Sequence, residues 1–394
     1  MCAFDRPASH NMQSRYAISL IFLLFFFGTA LPAGAAEPLP LPAPPVVGAK
    51  SYLVIDGRTG HELASFEPDL ALAPASLTKL MTAYVVFRAL DEGQLTLADE
   101  VTVSERARYT PGSRTFVELG SKVSVEDLLL GMIVQSGNDA SVALAEHVAG
   151  SEAVFAEMMN QYAARLSMHQ SSFQNATGLP DENHFSTARD LATLARAIIN
   201  EFPEYYKWYS VRTFKFNDIE QPNRNALLWR DESVDGMKTG HTEDAGYCLV
   251  SSARRDDMRI VSVVLGTSSA KARVDGSQAL LNYGFRFFET RLLYRAGETV
   301  AEAKIWKATD ELTPLGLHSD LYVTIPRGSF NDVESVLNMP AVLLAPVAEG
   351  QSLAELEVSL HGAEVLRQPL LALRQNPDGS LWQRARDSVL LWFE

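Results

Sequence analysis

Three short motifs contain the residues of this chain whose types and spacing could do chemistry. They are Ser76-Leu77-Thr78-Lys79, Ser136-Gly137-Asn138 and Lys238-Thr239-Gly240, in that order along the chain. Together they match the acyl-transfer signature S-x-x-K, S-x-N and K-T-G, in which a lysine rather than a histidine activates a serine hydroxyl. The pattern predicts an enzyme that attacks an amide carbonyl with a serine hydroxyl.

The first motif supplies a nucleophile and its base. Residues three apart share one face of a helix, so Ser76 and Lys79 should project into one cleft. Lys79 can take the serine proton only when its amine is uncharged, which requires burial or a nearby cation such as Lys238. Because Ser76 lies at the predicted start of a helix, its N–H and that of His241 are candidates for an oxyanion hole.

The other two motifs are predicted to move a proton and to bind the substrate. The hydroxyl of Ser136 can relay a proton toward the leaving amine, and the amide of Asn138 can bind either the substrate backbone or the lysine. Thr239 and Gly240 are expected at a strand edge, where backbone groups pair with an extended peptide. Each motif alone occurs often by chance, but their joint occurrence in this order favours catalysis.

The elements that must position these motifs predict an α+β fold. Apolar residues at helical spacing predict helices over residues 76–90, 124–133, 138–148, 151–166, 187–199 and 277–287. β-rich runs predict strands near residues 51–55, 62–64, 235–238, 246–252 and 258–265. Strands at both ends of one region, with helices between them, fit an antiparallel sheet covered by a helical cluster.

The chain divides into five predicted segments. Residues 1–36 are a signal peptide, 37–45 a Pro-rich lead-in, 46–290 the catalytic domain, 291–378 a small all-β sandwich, and 379–394 an amphipathic helix. Period-two alternation, as in Leu321 to Ile325, predicts the sandwich. We expect it to hold the catalytic part away from a membrane; a partner-binding module is the alternative.

The amino end predicts export. Arg6 and Arg15 precede the apolar run at residues 17–27, and small residues at 33–36 supply a cleavage site. Either Met1 or Met12 could be the true start. Cleavage would leave Cys248 as the single cysteine, so the exported chain would have no internal disulfide. Its position in a β-rich run predicts a buried, unreactive side chain.

The carboxyl end predicts a membrane anchor. Ser380 follows a turn and is a candidate N-cap. Apolar residues then recur at three- and four-residue steps at Leu381, Trp382, Ala385, Val389, Trp392 and Phe393. Aromatic residues on a short amphipathic helix favour an anchor lying in the membrane interface. The alternative is a helix that packs on its own domain.

Longer segments around the motifs resemble the serine-type D-alanyl-D-alanine carboxypeptidases, the low-molecular-mass penicillin-binding proteins of peptidase S11 type. The similar segments are residues 75–82, 135–140, 184–190, 238–242, 284–290 and 322–328. The resemblance covers nearly the whole chain after residue 36. It implies a β-lactamase/transpeptidase-like catalytic domain followed by the β-sandwich.

The resemblance also implies a substrate and roles for single residues. Ser76 would form the acyl-enzyme with a peptidoglycan stem pentapeptide, releasing its terminal D-alanine, and β-lactams would inhibit by acylating the same serine. The other implied roles are proton acceptor for Lys79, second hydroxyl for Ser136, substrate-binding cation for Lys238 and carboxylate-binding arginine for Arg273. The implied location is the periplasmic face of the inner membrane. No cofactor and no metal are implied.

Two segments depart from the family pattern. The stretch between Val103 and Val123 is shorter than usual, which changes the loop expected beside the active site. Asn175-Ala176-Thr177-Gly178 stands where the family has Asn-Pro-His-Gly, so the turn there is expected to differ.

Other classes of function fit less well. The net charge of −14 disfavours nucleic-acid binding, because phosphate contacts need concentrated Lys and Arg. No H-E-x-x-H metal motif is present. A class A β-lactamase is the nearest rival, but the Glu-x-x-Leu-Asn segment that such enzymes use is missing between residues 138 and 238. A non-catalytic module that binds wall peptides or β-lactams is the other rival, and the intact motifs argue against it.

Overall fold

The structure is a computed structural model that describes residues 41–393. The predicted signal peptide lies outside the described residues, as do residues 37–40 of the lead-in. The bounds of the helices and strands follow.

The strands are β1 (Ser51–Asp56), β2 (Glu62–Phe66), β3 (Glu100–Thr102), β4 (Lys122–Ser124), β5 (Thr213–Phe216), β6 (Ile219–Pro222), β7 (Val234–Thr242), β8 (Gly246–Arg255), β9 (Met258–Thr267), β10 (Phe288–Tyr294), β11 (Ala301–Trp306), β12 (Leu312–Gly316), β13 (Leu321–Pro326), β14 (Val333–Asn338), β15 (Leu343–Leu344), β16 (Ser352–Leu360) and β17 (Ala363–Ala372). The helices are α1 (Lys79–Asp91), α2 (Glu105–Tyr109), α3 (Val125–Leu130), α4 (Asn138–Ala149), α5 (Glu152–Arg165), α6 (Ala188–Glu201), α7 (Pro203–Tyr206), α8 (Leu227–Arg230), α9 (Ala270–Phe287) and α10 (Leu381–Leu390).

A five-stranded antiparallel sheet carries the K-T-G motif. Its strand order is β2-β1-β9-β8-β7, so β7 is an edge strand in the described part of the chain. Lys238 pairs with Val250 of β8. The motif lies inside β7, which continues to Thr242, rather than at the end of a strand. The outer edge of β7 is where an extended peptide could pair with backbone groups.

The helical cluster is built around α1. Apolar residues are buried on every side of α1, and Leu80, Met81 and Phe87 are fully buried. A helix that is apolar on every side is stable only inside a core, as the sequence predicts. A short 3-10 turn, Ala75–Thr78, precedes α1, so Ser76 sits just before the α-helix begins.

The helix that closes the catalytic region starts earlier than predicted. The sequence predicts residues 277–287, whereas α9 begins at Ala270, where Ser269 caps it by accepting the Ala272 N–H. The first two turns carry Arg273 and Gly276 instead of an apolar repeat, so their burial could not be read from periodicity. The earlier start places Arg273 on the first turn of α9, on the buried side of the helix.

The carboxyl-terminal part is all-β, as predicted. β10 pairs with β13, and a six-stranded sheet has the order β14-β16-β17-β12-β11-β15. The two outermost strands of this sheet, β14 and β15, are connected by residues 339–342 alone. Such a short connection cannot span six flat strands, so the sheet curls round its buried side chains. Ala303, Leu315 and Val358 are among these fully buried residues.

The last helix, α10, begins at Leu381, and Ser380 is its N-cap, as predicted. The serine accepts the Gln383 N–H while the Gln383 side chain accepts the Ser380 N–H, a complete capping box. The polar side of the helix packs on the β-rich part: Asp387 is 5% exposed and accepts the Lys307 N–H at 2.7 Å. The apolar side faces outward, with Trp382 and Trp392 exposed. No helix within residues 41–393 is long and apolar enough to cross a bilayer.

Candidate active site

Ser76 and Lys79 meet in the structure. The Lys79 Nζ lies 3.0 Å from Ser76 Oγ, and the lysine side chain is 1% exposed. Two further oxygens contact the same nitrogen, Asn138 Oδ1 at 2.7 Å and the Thr177 carbonyl at 2.5 Å. A neutral amine can donate its two hydrogens to these two acceptors and keep its lone pair for the serine hydroxyl.

The environment of Lys79 favours that neutral form. Burial lowers the pKa of Lys79 to about 7, the positive charge of Arg224 contributes in the same direction, and Asp139 and Glu152 oppose the shift. An amine with a pKa near 7 is uncharged in a large fraction of molecules at neutral pH. Lys79 therefore meets the requirement for a general base beside a serine.

The turn that supplies the Thr177 carbonyl is fixed by its neighbours. Asn175 Oδ1 accepts the N–H groups of Thr177 and Gly178, at 3.1 and 2.8 Å. Gly178 has φ of +82°, and a Cβ there would collide with the Ala75 carbonyl next to Ser76. Thr177 contacts Lys79 through its backbone oxygen, so the two side chains that depart from the family pattern, those of Ala176 and Thr177, do not supply this acceptor.

The S-x-N motif joins two helical segments. Ser136 has a left-handed backbone, φ 68°, between a π turn at Gly131–Gln135 and α4, and it is 2% exposed. Asn138 donates from Nδ2 to the Pro111 carbonyl at 2.6 Å and accepts from Lys79. Of the two partners predicted for Asn138, the structure therefore contains the lysine.

Asp139 anchors the loop beside the motif. Its carboxylate accepts the N–H groups of Thr115, Phe116 and Val117, at 2.8, 2.8 and 3.3 Å. These bonds hold residues 111–117 against the start of α4. Gly137 belongs to the same packing, because a Cβ there would collide with the Thr115 side chain.

Lys238 is a second buried cation in the site. It is 2% exposed, and its Nζ donates to the Thr239 carbonyl at 3.1 Å. Burial, followed by the charges of Lys79, Arg224 and Arg273, holds the pKa of Lys238 well below its ordinary value. Because Coulomb repulsion is mutual, protonation of either lysine disfavours protonation of the other.

The small residue of the K-T-G motif allows two elements to approach. A Cβ on Gly240 would lie 2.9 Å from the Pro74 carbonyl and 3.3 Å from the Ala75 Cβ. The missing side chain thus lets β7 pack directly against the turn that carries Ser76. The next residue, His241, is exposed and stacks on Tyr247 with the ring centroids 4.0 Å apart.

Arg273 reaches the site from α9. It is 7% exposed, and its Nη1 donates to the carbonyls of Gly240 and Cys248 at 3.3 and 3.4 Å. Its Nε is buried without a hydrogen-bond partner. From residue types alone Arg273 is a surface charge, whereas the fold places it in the cleft. Cys248, predicted to be buried and unreactive, is fully buried, and burial raises the pKa of its thiol to about 11.

A cavity of about 500 Å³ unites these groups. Its lining residues are Ser76, Gly112, Ser113, Ser136, Arg224, Thr239, Gly240, His241, Tyr247 and Arg273. The predicted nucleophile, second hydroxyl and carboxylate-binding arginine therefore face one space, with Lys79 and Lys238 buried beside it. A serine hydroxyl next to a neutral amine can attack a peptide carbonyl and become acylated. The cations of the cleft suit a peptide that ends in a carboxylate.

Comparison with known proteins identifies the family. The sequence matches D-alanyl-D-alanine carboxypeptidase over residues 40–269 and the penicillin-binding protein 5 C-terminal domain over residues 288–377. The chain belongs to the D-alanyl-D-alanine carboxypeptidase family. It is 40% identical to D-alanyl-D-alanine carboxypeptidase DacC of Escherichia coli over 381 residues, 94% of each chain.

Solved structures agree with this assignment to the carboxypeptidase family. Penicillin binding protein 5 from Haemophilus influenzae superimposes with a TM-score of 0.83 at 40% identity, covering 86% of this chain and 100% of that chain. Penicillin-binding protein D2 from Listeria monocytogenes in its ampicillin-bound form gives a TM-score of 0.56 at 30% identity, covering 61% of this chain and 98% of that chain. The resemblance and the α+β fold class predicted from the sequence are confirmed.

Sequence reasoning misses several residues of this carboxypeptidase site. Arg224 lines the cleft because Asn225, which is 1% exposed, donates to the Gly236 carbonyl at 3.0 Å and ties the segment to β7. Tyr247, Gly112 and Ser113 also reach the cleft from outside the motifs. The structural feature that places Arg224 in the cleft is the burial of its neighbour Asn225. The sequence alone does not reveal that an asparagine is buried.

Proposed function

We propose that this chain is a D,D-carboxypeptidase that removes the terminal D-alanine from the peptidoglycan stem pentapeptide through an acyl-enzyme on Ser76. The observation that carries the proposal is the buried Lys79 Nζ, 3.0 Å from Ser76 Oγ, with a pKa lowered to about 7. Membership of the carboxypeptidase family supports the choice of substrate.

Acylation begins when neutral Lys79 accepts the proton of the Ser76 hydroxyl. The serine oxygen then attacks the carbonyl carbon of the penultimate D-alanine, and the N–H groups of Ser76 and His241 stabilise the oxyanion. A proton passes from Lys79 through the Ser136 hydroxyl to the leaving nitrogen. The C–N bond breaks, the terminal D-alanine leaves, and the ester on Ser76 remains.

Deacylation repeats these roles with water as the nucleophile. Lys79 takes a proton from the water, which attacks the ester carbon. The C–O bond to Ser76 breaks, and the serine oxygen recovers its proton. The products are the shortened stem peptide and free enzyme. A β-lactam enters the same pathway at the first step, because its strained amide presents a carbonyl to the same oxygen.

Charge in the cleft supports binding of a peptide carboxylate. Arg273 lines the cavity with a buried Nε that has no partner, and Lys238 lies behind Thr239. The cleft thus gathers cationic side chains in a chain whose net charge is −14. We propose that Arg273 and Lys238 attract the terminal carboxylate, while Thr239 and Gly240 pair with the peptide backbone.

The test uses a pentapeptide that ends in D-Ala-D-Ala. Incubation with the enzyme, followed by mass analysis, should show loss of one alanine, and Ser76→Ala should abolish both this loss and labelling by penicillin. Fast hydrolysis of penicillin without alanine release would favour a β-lactamase. Labelling without any alanine release would favour a non-catalytic binding module.

The proposal extends to the domains and the location of the chain. Residues 46–290 form the catalytic domain, 291–378 the β-sandwich and 379–394 the anchor, on the periplasmic face of the inner membrane after removal of residues 1–36. Support comes from the export-type amino end and from α10, whose polar side packs on the sandwich while Trp382, Trp392 and Phe393 are exposed by 80, 89 and 85%. Such a helix suits a membrane interface.

A further inference from the structure

We propose that a second element, residues 339–344, contacts the lipid surface together with α10. This inference rests on the proposed membrane attachment of α10 and adds a contact that the helix alone does not supply. The chain would then contact the bilayer at two places, through α10 and through residues 339–344.

The 339–344 segment is apolar and exposed. Its sequence is Met339-Pro340-Ala341-Val342-Leu343-Leu344, with no charged side chain. Met339, Val342 and Leu344 are exposed by 40, 44 and 50%. An isolated exposed leucine needs no explanation, but consecutive apolar residues turned to solvent indicate an interaction surface.

The segment and α10 are neighbours through two adjoining residues. Leu344 pairs with Trp306 across β15 and β11, and the Ala345 N–H donates to the Trp306 carbonyl at 2.9 Å. The next residue, Lys307, donates its N–H to Asp387 of α10 at 2.7 Å. Trp306 and Leu390 of α10 line one cavity of about 370 Å³. The segment and the helix are therefore attached to adjoining residues, Trp306 and Lys307, at the end of β11.

The occupant that fits this combined surface is a lipid bilayer. Trp382 and Trp392 provide aromatic rings of the kind that settle at a membrane interface. Arg384 is exposed on α10, whereas Arg386, also exposed, is paired with the buried Asp387 at 2.9 Å. A cation beside exposed apolar side chains suits an anionic lipid surface. An apolar protein partner would not need a cation at this place.

A second contact has a consequence for orientation. One short helix in a membrane interface leaves the attached domain free to tilt about it. Because α10 is bonded to Lys307 and the 339–344 segment to Trp306, both contacts are attached at the same end of β11. Insertion at both places fixes the angle at which the sandwich stands on the membrane.

The main test measures binding to vesicles of phosphatidylethanolamine and phosphatidylglycerol. The chain processed at the predicted cleavage site is used, with a Val342→Ser/Leu344→Ser variant. We expect the partition coefficient of the variant to fall about tenfold, since two aliphatic contacts with lipid are lost. A Leu119→Ser/Val154→Ser variant is the matched control, because these residues are 53 and 46% exposed on the catalytic part. It should bind like the unsubstituted chain.

The outcomes separate this inference from the proposal on which it rests. If the unsubstituted chain does not bind vesicles, the membrane attachment of α10 is wrong, and so is this inference. If that chain binds, deletion of residues 380–394 abolishes binding and the Val342→Ser/Leu344→Ser variant binds normally, only this inference is overturned. A thermal unfolding transition like that of the unsubstituted chain shows that each variant is folded, including its β-rich part.

A second measurement observes the segment directly. Leu344→Cys can be labelled with an environment-sensitive fluorophore, because Cys248 is fully buried and the processed chain lacks Cys2. Vesicles should shift its emission to the blue, whereas a label at Leu119→Cys should not respond. Emission at position 344 that stays unchanged while the protein binds vesicles would contradict the proposed contact.

Discussion

At the residue scale, the chemistry depends on one amine held among three oxygens. A charged Lys79 would satisfy Ser76, Asn138 and Thr177 equally well, so these contacts alone favour the ammonium form. Burial and the Arg224 charge act in the opposite direction and bring the pKa of Lys79 to about 7. Near neutral pH the amine is therefore divided between its ammonium and neutral forms, and the proposed mechanism uses the neutral form.

The pH dependence of acylation follows from this balance. Lys79 accepts a proton only when neutral, so the rate of acylation by a fluorescent penicillin should rise as pH increases through about 7 and then level off. Stopped-flow measurements from pH 5 to pH 9, an interval of about two units on either side, test this. A rate that falls across the interval would exclude Lys79 as the acceptor.

Arg224 provides a more specific test. Its positive charge lowers the pKa of Lys79, so Arg224→Gln should move the rise in acylation rate to higher pH. Arg254→Gln is the control, because Arg254 is exposed and lies at the far end of β8. Equal pH profiles for both variants would show that Arg224 does not tune the base.

At the element scale, two short segments enclose the amine. The 111–117 loop is held by Asp139 and supplies the Pro111 carbonyl that binds Asn138. The 175–178 turn supplies the Thr177 carbonyl and packs against Ala75. Neither segment belongs to a regular helix or strand, so specific polar contacts must hold both in place.

Removing the charge of Asp139 should loosen the loop. Asp139→Asn replaces a carboxylate that accepts four backbone N–H groups, three of them from the loop, with an amide that has one acceptor oxygen. We expect a loss of about 2 kcal/mol in the free energy of unfolding. Because the Asp139 charge also raises the pKa of Lys79, acylation is compared at about pH 9, where Lys79 is neutral in both proteins, and should be slower in the variant. Urea denaturation and penicillin labelling test both effects, with exposed Asp244→Asn as control. Normal labelling by Asp139→Asn would show that the loop does not position Asn138.

His184 should make this region sensitive to acid. Its Nε2 lies 2.7 Å from Thr78 Oγ1, its Nδ1 accepts the Gln174 N–H, and burial followed by the Lys79 charge, against the opposing Asp181 charge, lowers the pKa of His184 to about 4. Between pH 6.5, the ordinary value, and about 4 the unfolded chain binds the proton and the folded chain does not. Stability is therefore complete above the ordinary value and is lost as pH falls toward 4.

The size of that loss is at most about 3 kcal/mol, and a variant can isolate it. His184→Gln should be less stable than the unsubstituted chain at pH 7 and should lose less stability on acidification to pH 4.5, roughly the lowered pKa. Unfolding free energies measured at both pH values check this. Equal losses in the two proteins would show that other groups cause the acid sensitivity.

At the scale of the whole molecule, the described chain separates its chemistry from its exposed apolar surface. The cleft lies between the central sheet and the helical cluster, whereas α10 and the 339–344 segment belong to the β-rich part. Changes to the apolar surface should therefore leave the cationic cleft intact.

Deletion of residues 380–394 tests this separation. The shortened chain should no longer sediment with vesicles, because the exposed side chains of α10 are removed. Release of D-alanine from a soluble pentapeptide should be unchanged, because no cleft residue lies in the deleted part. Membrane association that survives the deletion would contradict the anchor, and lost activity would show that α10 supports the fold of the catalytic part.

The sequence by itself determined the chemistry and its local supports. The spacing of Ser76 and Lys79 follows from helix geometry, because residues three apart share a face whatever surrounds them. Ser380 and Gln383 specified a helix start in the same local way. The α+β class and the family followed from motifs and periodicity that neighbouring residues already contain.

Only the tertiary structure decided which distant groups surround the amine and which side of α10 faces outward. The Thr177 carbonyl, Arg224 and Arg273 approach Lys79 or Ser76 because separate elements pack together. The polar side of α10 turns inward because Asp387 finds an unpaired N–H at Lys307. Such contacts join residues far apart in the chain, and their energies depend on burial and charge that exist only after folding.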